Sequence, residues 1–112
     1  MNHETPLSQP LRVAVIGGGP AGLMAAEILA SAGPSVSVRL YDSMPSVGRK
    51  FLLAGRGGLN LTHSEPPEVF MRRYGEHGAG LQPLMAAFGP AELRAWAEAL
   101  GIETFVGSSG LV

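Results

Sequence analysis

The sequence predicts an α/β chain built on a strand–helix–strand unit with parallel strands, and three observations predict it. Val13–Ile16 is a continuous apolar run that leads straight into Gly17-Gly18-Gly19-Pro20-Ala21-Gly22. A stretch rich in Ala, Leu and Met then runs to Ala32 and stops at Gly33-Pro34. Val36, Val38 and Leu40 next alternate with Ser37, Arg39 and Tyr41, the period of a strand, and Asp42 follows. Two strands joined through a helix imply a parallel pair with a right-handed crossover.

Each element has its own justification. Leu11 to Ile16 is the first strand, and its unbroken apolar run is that of a strand covered on both faces. Ala21 to Ala32 is the first helix; it is apolar nearly all round and is expected to be buried, with Gly33 ending it in a left-handed conformation. Val36 to about Tyr41 is the second strand. Residues 43–64 lack sustained periodicity and hold Gly48, Gly55, Gly57 and Gly58, the mark of a loop that is either functional or disordered, and the apolar Phe51-Leu52-Leu53 argues against simple disorder. The apolar Phe51-Leu52-Leu53 suits a short helical turn within residues 44–54. Further on, Pro67 to Tyr74 reads as a short helix, Tyr74 to Gly80 as a turn, and Leu81 to Phe88 as another short helix. Pro90 to Leu100 has proline at its first position, a Leu93, Trp96, Ala97, Leu100 stripe, and Gly101 as a stop. Ile102 to Val106 reads as a third strand.

The glycine turn carries the functional signal. Strand, tight glycine turn and helix, in that order, form the context in which G-x-G-x-x-G means dinucleotide binding, the Rossmann-like βαβ arrangement. Gly17 permits the sharp turn off the strand, Gly19 lets a pyrophosphate approach the backbone, and Gly22 lets the helix pack closely. The helix start offers N–H groups and a positive dipole end to phosphates. Asp42 lies about 20 positions past the last glycine, where a carboxylate accepts hydrogen bonds from an adenosine ribose. A carboxylate there repels a 2′-phosphate and disfavours NADP. The competing reading is that Asp42 only starts a turn.

Bulk properties set limits. The chain has 112 residues, 46% hydrophobic and 15% charged, enough for one small domain. The net charge of −1 gives no global case for nucleic acid or an anionic membrane. Charge is uneven: Arg49, Lys50, Arg56, Arg72 and Arg73 outnumber Glu65 and Glu68. Of these bases, Arg49, Lys50 and Arg56 sit where phosphate attraction has a context. With no cysteine, disulfides and thiolate chemistry are excluded, which fits a cytoplasmic protein. The apolar stretch through residues 13–32 is broken by the glycine turn and carries Glu27, so it reads neither as a signal peptide nor as a membrane span. Residues 1–10 read as a flexible leader.

Other chemistries find little support. Leu23-Met24 stands where a P-loop needs Lys-Ser/Thr, which argues against triphosphate hydrolysis. Gly107-Ser108-Ser109-Gly110-Leu111 lacks the final glycine of a nucleophile elbow. His3, His63 and His77 have no metal-ligand spacing, and no metal site is expected. His63 is a candidate general base, although a surface or packing role is the commoner fate of such a histidine. No nucleophile–base pair can be named, so any redox chemistry would belong to a cofactor.

Together, VAVIGGGPAGLMAAEILA and GRKFLLAGRGGLNLTHSE resemble the start of the YhiN/HI0933-like bacterial flavoproteins, described as NAD(P)/FAD-dependent or aminoacetone oxidase-like oxidoreductases. The likeness runs from Leu11 onward. The family's usual later motif is Ser-Gly-Gly-Gly-Arg-Cys-Asn-x-Thr-Asn. Gly55, Gly57, Asn60 and Thr62 match it, whereas Ala54, Arg56, Gly58, Leu59 and His63 depart from it.

The resemblance implies FAD as cofactor. Gly17, Gly18, Gly19, Pro20, Ala21 and Gly22 would surround the pyrophosphate, and Asp42 would hold the adenosine ribose. Arg49 and Lys50 would lie along the phosphates or ribose, and Gly57, Gly58, Leu59 and Asn60 near the pyrophosphate or ribityl chain. Family members are several times longer, so residues 11–112 are expected to be the truncated N-terminal portion of an FAD/NAD(P)-binding domain. On this reading the full-length parent is a flavin-dependent oxidoreductase acting on a small molecule, and this chain alone lacks catalytic competence. The alternative is a non-catalytic or degenerate fragment that binds NAD, ADP or no nucleotide.

Overall fold

The computed structural model describes residues 9–54 and 58–112, and these divide after Gly58 into two compact units. In the first, β1 (Leu11–Ile16) leads into α1 (Pro20–Ala30), a 3-10 turn (Gly33–Ser35), β2 (Val36–Tyr41) and a single helical turn, α2 (Arg49–Leu52). β1 and β2 pair in parallel, with Val13 opposite Val38 and Val15 opposite Leu40. These four residues therefore share one face of the sheet. All four are half-buried, while Ala14, Ile16, Arg39 and Tyr41 on the opposite face are exposed. A Cβ added at Gly22 would lie 3.4 Å from Val15 Cγ1, which places α1 against the Val13/Val15 face.

Two expectations change here. β1 is apolar enough for a strand covered on both faces, but only one face is covered, and Ile16 stays 80% exposed. α1 likewise has no fully buried residue, and Ile28 is 64% exposed. A two-stranded sheet has too little area to bury a helix that is apolar all round. α1 ends at Ala30, before Gly33, whose φ is +82°.

The second unit is helical. α3 (Pro67–Met71) passes into a 3-10 segment (Arg72–His77) with a break at Gly75, then α4 (Gly78–Ala87) and α5 (Pro90–Ala99). The turn expected at residues 74–80 is instead the end of the 3-10 segment and the start of α4, which begins at Gly78 rather than Leu81. Phe70 and Tyr74 stack edge to face, with ring centroids 6.0 Å apart. Pro90 opens α5, and the Glu92 carboxylate accepts the Gly89 N–H at 3.0 Å, half of a capping box. Ala97 is the stripe residue that becomes fully buried; Leu100 at its end is 58% exposed.

The third strand expected at 102–106 is absent among the described residues. Strand-forming residues do not suffice without a neighbouring ladder, and Phe105 is 75% exposed. The chain end pairs elsewhere. Leu61 N–H donates to the Val112 carbonyl at 2.7 Å, Val112 N–H to Thr62 at 2.9 Å, and Ser64 N–H to Gly110 at 2.9 Å, around an antiparallel His63–Leu111 bridge. Among the described residues no helix is long and apolar enough to cross a membrane.

Candidate functional site

The glycine turn is shaped from both sides. Gly17 takes a φ of +107°, a conformation that costs glycine little and other residues much. Its N–H donates to the Tyr41 carbonyl at 2.7 Å, so the turn leaves β1 still tied to the end of β2. Gly22 allows closeness, because a Cβ there would fall 1.8 Å from the Gly17 carbonyl oxygen. The glycine is thus required where α1 crosses the turn. Gly19 differs: a Cβ there would meet nothing within 4 Å among the described residues, so their packing does not explain that glycine. A backbone that must be approached by a phosphate does explain it.

Gly19 is the N-cap of α1, in an extended conformation with no side chain capping it, and Pro20 occupies the first turn. Helix starts leave N–H groups without partners inside the helix. No acidic side chain stands in the first turn to compete with an anion. The residues that fold this segment therefore also leave a helix start suited to phosphate oxygens.

Asp42 sits at the tip of β2 beside this turn. Its Oδ2 accepts the Gly18 N–H at 2.7 Å, and its Oδ1 accepts the Met44 N–H at 2.7 Å. The Met44 and Gly18 amides hold its carboxyl below the usual aspartate range; the Arg49 charge adds to this and partial desolvation opposes it. Asp42 is thus an anion across the physiological range, with lone pairs beyond the two already used.

Gly18 is buried, and its carbonyl accepts the Gly48 N–H at 2.8 Å. A Cβ on Gly18 would come 2.6 Å from Val47 Cγ1 and 2.9 Å from Asp42 Oδ2. Sequence reasoning missed Val47 and the Met44 amide as parts of this site. Asp42-x-Met44 has the form of an Asx turn, a local signal that could have found the second. Nothing in the periodicity marks Val47.

The other candidates divide. Arg49 and Lys50 open α2, Arg49 near enough to act on Asp42 electrostatically. Gly57 and Arg56 lie outside the described residues, and Gly58 is exposed. Leu59 and Asn60 belong to the second unit, Leu59 half-buried and Asn60 exposed. His63, the candidate base, is engaged by backbone. Its Nδ1 accepts the Glu65 N–H at 3.1 Å, and its Nε2 lies 3.2 Å from the Ser109 carbonyl. A carbonyl only accepts, so Nε2 carries the proton and the ring serves as a clamp.

Parallel strands, a crossover helix, a glycine turn at the first strand–helix junction and a carboxylate at the tip of the second strand define a Rossmann domain, a dinucleotide-binding architecture. The model of the HI0933-like protein Rossmann domain matches residues 11–112, and the chain belongs to that family. Comparison with curated proteins gives no match.

Proposed function

We propose that this chain is the FAD-binding N-terminal segment of a flavin-dependent oxidoreductase. Gly17–Gly22 and the start of α1 receive the pyrophosphate, Asp42 accepts the adenosine ribose, and Arg49 and Lys50 supply positive charge along the phosphates. When bound, FAD supplies hydride and electron transfer, and the residues of this chain bind and orient it. The observation that carries the reading is Gly19, a glycine that no packing among the described residues requires, at the start of α1 where no side chain caps the helix, next to a turn locked by Gly17 and Gly22. Membership of the HI0933-like family supports the dinucleotide part of the reading. The choice of FAD rests on the resemblance of the Gly48–Thr62 segment to flavoproteins.

Titration of the purified chain with FAD, NAD and ADP tests the proposal. FAD is expected to bind more tightly than ADP, because the flavin half adds contacts to the shared ADP half. Equal affinity for FAD and ADP would instead identify a module that reads only ADP. Absence of binding to all three would overturn nucleotide recognition by this chain.

A further inference from the structure

The two hydrogen bonds at Gly18 constrain more than a loop. Peptide groups are planar and trans, so the C=O of one residue and the N–H of the next point in opposite directions. Gly18 N–H points to Asp42, which turns the Gly17 carbonyl the other way, toward Gly22 of α1. The Gly18 carbonyl points to Gly48 N–H, which turns the Gly19 N–H away from the 42–48 loop. Both peptide planes of the glycine turn are thereby set by the segment that follows β2. Asp42 is the member of that segment that binds through its side chain, and it also holds the segment's own backbone at Met44.

We propose that Asp42 is a positioning residue for the pyrophosphate: by accepting the Gly18 and Met44 amides it holds the glycine turn in its phosphate-accepting shape, apart from any contact with ribose. This rests on the reading of Gly17–Gly22 as the pyrophosphate site. A ribose role alone would leave affinity for ligands without ribose hydroxyls indifferent to Asp42, and a positioning role makes those ligands depend on it too. An asparagine cannot replace the aspartate, because only one of its side-chain atoms accepts while the amide nitrogen donates.

The experiment compares the wild-type chain with Asp42→Asn and Asp42→Ala, using ADP and 2′,3′-dideoxy-ADP, with unfolding midpoints recorded to show that each variant is folded. Both variants are expected to lose about tenfold or more for both ligands, the scale of a lost hydrogen bond to a charged group. A loss for ADP that vanishes with the dideoxy ligand overturns the proposal, as does no loss with either. In parallel, the Gly18 and Met44 amide proton shifts of the ligand-free chain are followed as pH is lowered. They are expected to move together with the Asp42 carboxyl carbon. A Gly18 amide that ignores that titration overturns the proposal even if ADP binds. Failure of the wild-type chain to bind ADP, with the amides still coupled to Asp42, instead overturns the pyrophosphate reading and leaves the tie between Asp42 and the turn standing.

Discussion

The carbonyl oxygen of Gly17 lies where a side chain on Gly22 would begin, 1.8 Å from the position of a Cβ. Neither partner can yield cheaply. Gly17 is fixed by its N–H bond to Tyr41 and by its left-handed φ, and Gly22 sits in the first turn of α1. Gly22→Ala is therefore expected to destabilise the first unit by about 1–3 kcal/mol, the usual scale of overpacking. Urea unfolding followed by circular dichroism measures this, and a wild-type midpoint would contradict the close crossing of turn and helix.

Gly19 makes the opposite prediction. Its φ of −80° and ψ of −174° suit any residue, and a Cβ there would meet none of the described residues within 4 Å. Gly19→Val is expected to cost no more than about 1 kcal/mol of stability, the scale of a weaker N-cap. The same change places a branched side chain at the proposed phosphate approach and is expected to abolish measurable ADP binding. Unchanged affinity in this variant would move the pyrophosphate away from Gly19.

The contrast between these glycines shows what the sequence made legible. β1, the turn, α1, β2 and Asp42 were readable because their signals are local: an apolar run, glycine spacing, a helix-forming stretch and a period of two. What Asp42 touches was not readable. Its partner Gly18 is 24 residues away, and the bond depends on the path of the loop between them. Val47 beneath Gly18 escaped for the same reason. At residues 102–106 the strand-forming Ile102, Thr104, Phe105 and Val106 were present but misleading, since a strand exists only beside a partner, and the chain end pairs through Leu111 instead. The apolar character of α1 stated how much it could bury, and a two-stranded sheet decided how little it does.

Acid sensitivity of the second unit is expected to centre on Glu65. A hydrogen bond from Arg73 holds its carboxyl below the ordinary glutamate range; the charges of Arg73 and His63 add to this and partial desolvation opposes it. A group whose pKa is lowered by folding stabilises the fold above its unfolded value and loses that contribution as pH falls through the folded value. The loss therefore begins below about pH 4. Glu65→Gln removes the titration, so the unfolding midpoint of the variant is expected to fall less steeply than that of wild type as pH drops from neutrality into that range. Parallel curves for the two proteins would count against the Glu65–Arg73 pair as a source of the acid response. Asp42 titrates with the same sign and remains in both proteins, so the difference between the curves isolates Glu65.

His63 and Gly110 couple in a way that a double-mutant cycle can isolate. A Cβ on Gly110 would lie 2.6 Å from His63 Cε1 and 2.8 Å from its Nε2. The ring cannot swing aside without giving up the Glu65 N–H at one nitrogen and the Ser109 carbonyl at the other. Gly110→Ala thus carries two costs: the left-handed backbone at φ +86°, worth about 1–2 kcal/mol, and the collision with a ring held at both ends. His63→Ala removes the collision and leaves the backbone cost. Gly110→Ala is therefore expected to destabilise the His63→Ala chain by less than it destabilises wild type, with a coupling of at least about 0.5 kcal/mol. Strict additivity of the two changes in thermal unfolding would mean that the ring yields freely, and that the clamp between residues 63–65 and the 109–111 turn does not hold the chain end.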